Sequence, residues 1–179
     1  MTPTPPPRLE TERLVLRALR LEDFEPFFAF VGDASSPPFP PAPPMDRRLA
    51  WRSFASSLGT WFLFGAGWWG IEDRATGELA GTVGAFFRET QLPLGPDSEL
   101  EVGWNVFPRF ARRGYATEAA RAVIADAFAR HRVPRVFALT APHNAASQAV
   151  AKKLGMVPAG EVDFYGEPSS KFVLERPGR

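Results

Sequence analysis

The stretch ELEVGWNVFPRFARRGYATEAARAVIADAFARH, residues 99–131, contains the signals that decide the fold of this chain. Apolar residues first occupy every second position, which predicts a strand with one buried face: Leu100, Val102, Trp104 and Val106. Beyond a basic turn, apolar residues recur at the spacing of one helix face: Ala116, Ala120, Val123, Ile124, Ala127 and Phe128. The sequence therefore predicts a strand that enters a helix through Arg112-Arg113-Gly114-Tyr115-Ala116.

This turn is a candidate site for an anion. The first turn of a helix leaves backbone N–H groups without intrahelical acceptors and carries partial positive charge, so a phosphate is stabilised there. Gly114 permits close approach to the backbone, and Arg109, Arg112 and Arg113 add positive charge. An ordinary strand-to-helix turn with solvated arginines would contain the same residues, and a single glycine does not decide between these interpretations.

Three segments together resemble the acetyl-CoA motifs of the GNAT superfamily of N-acetyltransferases. They are Val106-x-Pro108, Arg113-Gly114-Tyr115-Ala116-Thr117-Glu118-Ala119, and Asn144-x-x-Ser147-x-x-Val150-x-x-Lys153-Leu154-Gly155-Met156. The opening Thr11-Glu12-Arg13-Leu14-x-Leu16-Arg17 resembles the branch that includes the Rim-type acetyltransferases of ribosomal-protein N-termini. Each motif is weak by itself, but their order and spacing from about residue 8 to 176 make the combination specific.

Composition favours one soluble domain without thiol chemistry. The 179 residues are 45% hydrophobic and 23% charged, and 21 basic residues nearly balance 20 acidic ones, so no general attraction to nucleic acid or membranes is expected. The chain has no cysteine, which excludes disulfides, thiolate metal ligands and a cysteine nucleophile. Two histidines do not suggest a metal site, and no apolar leader or span is present, so we expect a cytoplasmic protein without a metal.

The pattern along the chain predicts a proline-rich, loosely ordered lead at residues 1–7 and one domain at residues 8–179. The predicted order is β-α-α-β-β-β-α-β-α-β-β, an α/β fold with a mixed sheet flanked by helices, as the GNAT resemblance also implies. Besides the strand and helix above, we expect strands at 9–19, 61–64, 68–73, 78–88, 135–140, 156–164 and 170–176, and helices at 21–31, 46–58 and 145–154.

Two segments have more than one interpretation. Gly65-Ala66-Gly67-Trp68-Trp69-Gly70 matches the G-x-G-x-x-G dinucleotide motif, but a strand and turn follow it where the motif requires a helix, so we reject nucleotide binding. The proline-rich segment at 35–44 is stiff and extended. It is either a surface connector or a wall of the acceptor pocket that includes Phe39.

The resemblance implies how acetyl-CoA would bind. Its pantetheine arm would lie between the central strand and residues 135–140, which splay apart in this family, and the pyrophosphate would contact backbone N–H groups of Arg112–Thr117. Asn144 caps a helix and can hold a pantetheine amide, while Lys153 either complements the helix dipole or contacts phosphates. Ala111 departs from the usual pattern of Gln, Arg or Trp. The implied cofactor-binding residues are Val106, Arg109, Arg112, Arg113, Gly114, Tyr115, Ala116, Thr117, Asn144 and Lys153.

The absence of cysteine favours direct attack of an amine on acetyl-CoA. The amine belongs to a protein N-terminus or to a small molecule. At the position of Glu101 the family often has a glutamate that takes up the amine's proton, whereas the alternative is a solvent-facing charge. Val150 or Ala151 stands where many members have a tyrosine that protonates the leaving thiolate. Ser147 is the nearest replacement, with Tyr165 and His143 as weaker candidates.

One alternative function stays open at this point, and so does the oligomeric state. The same fold could be a non-catalytic acyl-CoA-binding module for sensing or assembly. Such a module would bind CoA without any need for Glu101. We expect the aromatic residues around Trp61–Trp69 to be exposed, which favours a homodimer.

Overall fold

The structure is a computed structural model that describes residues 5–35 and 42–178. Most of the predicted lead at residues 1–7 and the centre of the proline-rich segment, including Phe39, lie outside the described residues. Pro7, at the end of the lead, is held by the sheet, because its carbonyl accepts a hydrogen bond from Trp69 Nε1 at 2.8 Å.

The described chain forms a single eight-stranded sheet in the order β1-β2-β3-β4-β5-β6-β8-β7. Neighbouring strands are antiparallel except for β5 and β6, which are parallel. The strands are β1 Leu9–Glu10, β2 Leu14–Arg17, β3 Gly67–Asp73, β4 Leu79–Phe86, β5 Leu100–Val106, β6 Arg135–Thr140, β7 Val157–Phe164 and β8 Glu167–Glu175. The sheet is therefore mixed, as predicted.

In the part of the chain that the structure describes, four α-helices flank this sheet: α1 Phe24–Val31, α2 Arg47–Phe64, α3 Tyr115–Arg130 and α4 Ala145–Lys153. Helix α3 packs on β4 and β5, α2 packs on β3 and α1, and α4 contacts β6 and α3. The buried face of α3 follows the helical period, with Ala120, Val123, Ile124 and Ala127 in the core. This single-domain α/β architecture confirms the predicted fold class.

The predicted strand at 61–64 is wrong, because these residues form the last turn of α2. Ala50, Phe54 and Trp61 lie on one buried helix face, and the Trp61 ring meets the Trp69 ring edge-on with centroids 4.4 Å apart. Gly65 then ends the helix in the left-handed conformation at φ 62°. Aromatic residues favour strands locally, but this burial keeps them helical. The glycine motif thus begins with a helix end and runs into β3, which agrees with its rejection as a nucleotide site.

The predicted first strand at 9–19 is also wrong in detail, because it consists of two antiparallel strands. Leu9 pairs with Leu16, and the turn between β1 and β2 is closed by Thr11 N donating to the Leu14 carbonyl at 3.0 Å. At the other end of the chain, β7 and β8 are joined only by Tyr165 and Gly166. Both have positive φ, 54° and 83°, as a two-residue hairpin turn requires.

The aromatic residues from which a homodimer was predicted are largely buried. Trp61 is 3% exposed and Trp69 is inaccessible, whereas Phe62 and Leu63 on the outer face of α2 are 56% and 63% exposed. The homodimer stays a prediction, and its surface would be this outer face of α2. Among the described residues, no helix is long and apolar enough to cross a membrane.

A buried ion network fixes the start of the domain. The Arg17 guanidinium donates to both oxygens of Asp23, at 2.6 and 3.0 Å, and its Nε donates to Glu72. The side chains of Arg17 and Asp23 are 7% and 4% exposed. Because two carboxylates share one guanidinium away from water, the network joins β2, β3 and the beginning of α1.

We expect Arg17→Leu to lower the free energy of unfolding by about 3–5 kcal/mol, because it leaves buried carboxylates without a counter-charge. Chemical denaturation measures this loss. Arg8→Leu is the matched control, since it removes an arginine from an ion pair with Glu10 that is exposed on both sides. The control should change stability little. Equal stability losses in the two variants would contradict a special role for the Arg17 network.

Candidate functional site

The sheet opens between its two central strands. β5 and β6 pair at only two positions, Leu100 with Val136 and Glu101 with Phe137. By contrast, β4 pairs with β5, and β6 with β8, at six positions each. Beyond Glu101 the parallel strands therefore diverge, and a gap separates residues 102–106 from residues 138–140.

Backbone N–H groups of β5 point into this gap. Phe107 N donates to the Ala80 carbonyl of β4 at 2.8 Å, and successive N–H groups of a strand point to opposite edges. The N–H groups of Trp104 and Val106 therefore point away from β4 and toward the gap. The edge of β5 can donate to a carbonyl oxygen placed there.

A cavity of about 390 Å³ surrounds the gap. Its wall extends from α1 and α2, across the carboxyl-terminal half of β5, to the N-terminus of α4. The wall combines aromatic with hydroxyl and amide side chains, including Phe27, Phe30, Ser53, Ser56, Ser57, Thr60, Trp68, Phe86, Trp104, Asn105, Asn144 and Ser147. Glu101 and Arg88 are its charged residues. A chain of mixed polarity, such as a pantetheine arm, suits this lining.

Glu101 lies in the wall of the cavity and is paired with Arg88. The Arg88 Nη2 donates to Oε1 at 2.7 Å, and Nε donates to Oε2. A carboxylate has about four lone-pair sites, so two remain for an amine or a bridging water. A second groove of about 510 Å³ shares Arg88, Glu101 and Leu139 with the cavity. Glu101 therefore faces both spaces.

Burial sets the acidity of this carboxyl. Glu101 is only 6% exposed, and desolvation raises its pKa above the ordinary value, although the Arg88 guanidinium acts in the opposite direction. A raised pKa makes the carboxylate a stronger base than a solvated glutamate. The pair of Glu101 with Arg88 thus places in the cavity wall a carboxylate that can take up a proton.

Ser147 and Asn144 lie on the far side of the same cavity. Asn144 caps α4, because its Oδ1 accepts a hydrogen bond from Ser147 N at 3.0 Å. Ser147 is half-buried and lines the cavity that Glu101 also lines. The weaker candidates differ: the Tyr165 hydroxyl donates to Glu89 beside the second groove, and His143 is exposed. Of these three candidates, Ser147 is the one that lines the cavity around the gap.

The turn before α3 has the backbone shape of an anion cradle. Arg112 and Gly114 both have positive φ, 64° and 81°. The first α-helical hydrogen bond runs from Glu118 N to the Gly114 carbonyl at 3.1 Å, so the N–H groups of Tyr115, Ala116 and Thr117 have no intrahelical acceptor. This geometry fits a pyrophosphate at the end of the gap.

An arginine at the N-terminus of the domain supports the cradle from behind. Arg13 Nη1 donates to the Arg113 carbonyl at 2.8 Å, and its Nε donates to Glu118 at 2.8 Å. The same Glu118 carboxylate accepts from Thr11 Oγ1 and from Arg13 N. Burial is the largest single influence and raises the pKa of Glu118, but these hydrogen bonds and the Arg13 guanidinium together outweigh it, so the pKa lies below its ordinary value. The β1–β2 turn and the cradle are therefore one hydrogen-bonded unit.

Tyr115 fixes the other side of the cradle. Its ring is buried, and its hydroxyl donates to Asp73 Oδ2 at 2.7 Å, which lowers the pKa of Asp73 and raises that of Tyr115. The Tyr115 side chain is thus a structural anchor, and only its N–H group is available to a ligand in this arrangement.

The predicted basic residues have different environments. Arg109 donates to both oxygens of Glu78 at 2.7 and 2.6 Å, and Arg113 lies 4.0 Å from Asp73. Across residues 5–35 and 42–178, Arg112 forms no ion pair or side-chain hydrogen bond. Lys153 is exposed at the last turn of α4. Arg112 is therefore the arginine of this turn whose charge is not balanced by a described carboxylate, so it can pair with a phosphate. No group of three or more possible metal ligands occurs among the described residues.

Comparisons with known proteins identify the class to which this site belongs. Residues 13–157 match the family model described as acetyltransferase (GNAT) domain. An uncharacterized N-acetyltransferase, YoaA of Bacillus subtilis strain 168, is 29% identical over 160 residues, which are 89% of this chain and 88% of that protein. The chain therefore belongs to the GNAT acetyltransferase family.

Solved structures agree with this assignment. An acetyltransferase from Agrobacterium tumefaciens strain C58 is 32% identical, with a TM-score of 0.79 and 95% of both chains covered. A ribosomal L7/L12 alpha-N-protein acetyltransferase in complex with coenzyme A has a TM-score of 0.75 at 14% identity, covering 94% of this chain and 98% of that one. The latter likeness concerns the fold, and it confirms that Rim-type enzymes are structural neighbours.

Sequence reasoning missed three contributors to the site. Arg88 pairs with Glu101 across two strands, and Arg13 reaches Glu118 although they are far apart in sequence. Thr140, at the end of β6, lines the cavity. Arg13 belongs to the quoted Rim-like motif, so the resemblance contained a signal for it. Thr140 belongs to the segment 135–140 beside which the resemblance places the pantetheine arm, although nothing in the sequence singled it out. Arg88 had no signal, because its relevance depends on a tertiary contact.

We expect Gly114→Val to lower CoA affinity at least about tenfold, or about 1.4 kcal/mol, because a β-branched residue strains the left-handed cradle and brings a Cβ within 3.4 Å of Nη2 of Arg13, the residue that supports the turn. Isothermal titration calorimetry measures the affinity. Gly160→Val is the matched control, since Gly160 also has positive φ, 91°, with open space beside it in β7. If folded Gly114→Val binds CoA as tightly as Gly160→Val, the cradle does not hold the ligand.

We expect Arg13→Gln to weaken CoA binding by about 3- to 10-fold, because the cradle loses hydrogen bonds that hold its shape. The effect is indirect, since Arg13 lies behind the turn and would not contact the ligand. Arg8→Gln serves as the control. Arg8 pairs with Glu10 on the surface, where both side chains are more than half exposed, and does not contact the turn. Titration of both variants with CoA separates them, and equal affinities would show that the contacts of Arg13 have no effect on binding.

Proposed function

We propose that the chain transfers the acetyl group of acetyl-CoA directly to a primary amine of a protein N-terminus or of a small molecule. The observation that supports this most strongly is a single cavity bounded by Glu101, by the gap between β5 and β6, and by Ser147. In such a transfer the amine nitrogen bonds to the thioester carbon, the C–S bond breaks, and the amine's proton and the thiolate need an acceptor and a donor.

The residues divide these tasks as follows. The Val106 N–H, directed into the gap, donates to the thioester oxygen as negative charge develops on it. Glu101 accepts the proton of the amine, directly or through water, and Ser147 donates to the departing thiolate. The cradle from Arg112 to Thr117 binds the pyrophosphate, and Asn144 supports the pantetheine arm. Arg109, Arg113 and Lys153 contribute positive potential near the phosphates.

The charge of the cavity affects how the acceptor amine is selected. Its described charged residues, Glu101 and Arg88, neutralise each other, and the rest of its described wall is uncharged, with aliphatic, aromatic, hydroxyl and amide side chains. Electrostatic attraction therefore contributes little to acceptor binding, so shape and hydrogen bonds select the acceptor. A panel of amines and peptide N-termini, assayed by release of free CoA from acetyl-CoA, identifies it.

The alternative, a non-catalytic acyl-CoA-binding module, makes a different demand on Glu101. A binding module needs the cradle and the gap but has no use for a base. Loss of turnover with retained CoA affinity on substitution of Glu101 therefore separates an enzyme from a module.

We expect Glu101→Gln to lower kcat/KM by about 10²–10⁴-fold at neutral pH while CoA affinity stays nearly unchanged. Part of the loss should be recovered at alkaline pH, where more of the acceptor is a free amine. Glu99→Gln is the matched control, because Glu99 precedes the same strand but is paired with Arg135 and Lys171. The control should have a much smaller effect. A loss below tenfold for Glu101→Gln would refute the base assignment.

Arg88→Met gives a second readout in the same assay. Removal of the guanidinium removes the influence that lowers the pKa of Glu101, so this pKa rises further. The fraction of carboxylate at a given acidic pH then falls, and the acid limb of the pH profile shifts upward. An unshifted limb would show that titration of Glu101 does not control the rate.

A further inference from the structure

One buried polar atom in the cavity has no partner. Thr140 is 3% exposed, and its Oγ1 is the buried side-chain oxygen or nitrogen that makes no hydrogen bond among the described residues. Burying a hydroxyl without a partner costs free energy, and native proteins rarely leave such groups unsatisfied. Thr140 therefore requires an explanation in the function of the site.

The position of Thr140 indicates what that explanation is. It is the last residue of β6, where β6 still pairs with β8 through Ser170 but has already diverged from β5. It lines the same cavity as Trp104 of β5 and Ser147 of α4. Thr140 thus lies on the opposite side of the gap from the N–H groups of β5.

We infer that the Thr140 hydroxyl forms a hydrogen bond with the pantetheine arm of CoA. The inference rests on the proposed function, since it requires CoA in the gap. A pantetheine arm carries two amides, each with a donor and an acceptor, and a hydroxyl can serve either. Thr140 is then a ligand-binding residue whose partner comes with the cosubstrate, and β6 contributes a side chain where β5 contributes backbone groups.

The test compares two ligands and uses nearly isosteric variants. Thr140→Val removes the hydroxyl and keeps the branched shape, while Thr140→Ser keeps the hydroxyl. CoA affinity should fall roughly 3- to 10-fold in Thr140→Val, as expected for the loss of one hydrogen bond, and recover in Thr140→Ser. Adenosine 3′,5′-bisphosphate, which lacks the pantetheine arm, should bind wild type and Thr140→Val equally. Calorimetric titration of each variant with both ligands measures these affinities.

The free protein supplies an independent measurement. Because Thr140→Val removes an unsatisfied buried hydroxyl, it should raise the Tm of the ligand-free protein by about 2–4 °C. Thr82→Val is the matched control: Thr82 is equally buried at 3%, but its Oγ1 accepts a hydrogen bond from Asn105 at 3.3 Å. Its loss should lower Tm.

The outcomes separate this inference from the proposed function. If wild type binds CoA and Thr140→Val binds it as tightly, the inference alone is refuted. If Thr140→Val weakens CoA and the bisphosphate equally and lowers Tm, the hydroxyl is structural, and the inference is again refuted. If wild type does not bind CoA, the proposed function fails and the inference fails with it.

Discussion

The brief pairing of β5 with β6 is the constraint on which the rest of the structure depends. Two positions of parallel pairing join the two parts of the sheet, and the strands then separate. Each strand is paired at six positions along its other edge, β5 with β4 and β6 with β8. The gap therefore exposes backbone groups in the middle of a sheet without creating a free edge at its periphery.

The helices determine what the gap between β5 and β6 can bind. Helix α3 follows β5 after the segment 107–114, and α4 follows β6 after the segment 141–144, so both helix N-termini lie on the side of the sheet toward which the gap opens. Parallel strands require a crossover between them, and here α3 is that crossover. The crossover that the parallel pair requires thus places the N-terminus of α3, which favours negative charge, beside a gap that can hold an extended chain.

Local patterns predicted much of this arrangement, and tertiary contacts account for what they missed. Alternation along β5 and the helical period of α3 reflect burial on one face, which is visible in sequence. The turn from Trp61 to Phe64 was predicted as a strand because an aromatic run looks extended until its packing against Trp69 is known. The partners of Glu101 and Glu118 were not predictable from periodicity, since Arg88 and Arg13 reach them from other elements. The resemblance supplied the residues of the site, but their hydrogen bonds and burial came from the structure.

If the turn before α3 binds its ligand through backbone groups, the side chains of the turn can differ between sequences. A cradle made of N–H groups depends on its conformation more than on its side chains, so Ala111 can replace a larger polar residue without loss of the donors. The conformation must then be enforced from outside the turn, and Arg13, Glu118 and the Tyr115–Asp73 pair do so. These contacts connect the cradle to β1, β2 and β3. Because a ligand stabilises whatever conformation it binds, occupancy of the cradle should also stabilise the N-terminal strands. The opening motif of the chain would thus support the proposed binding site although it lies behind the surface that the ligand would contact.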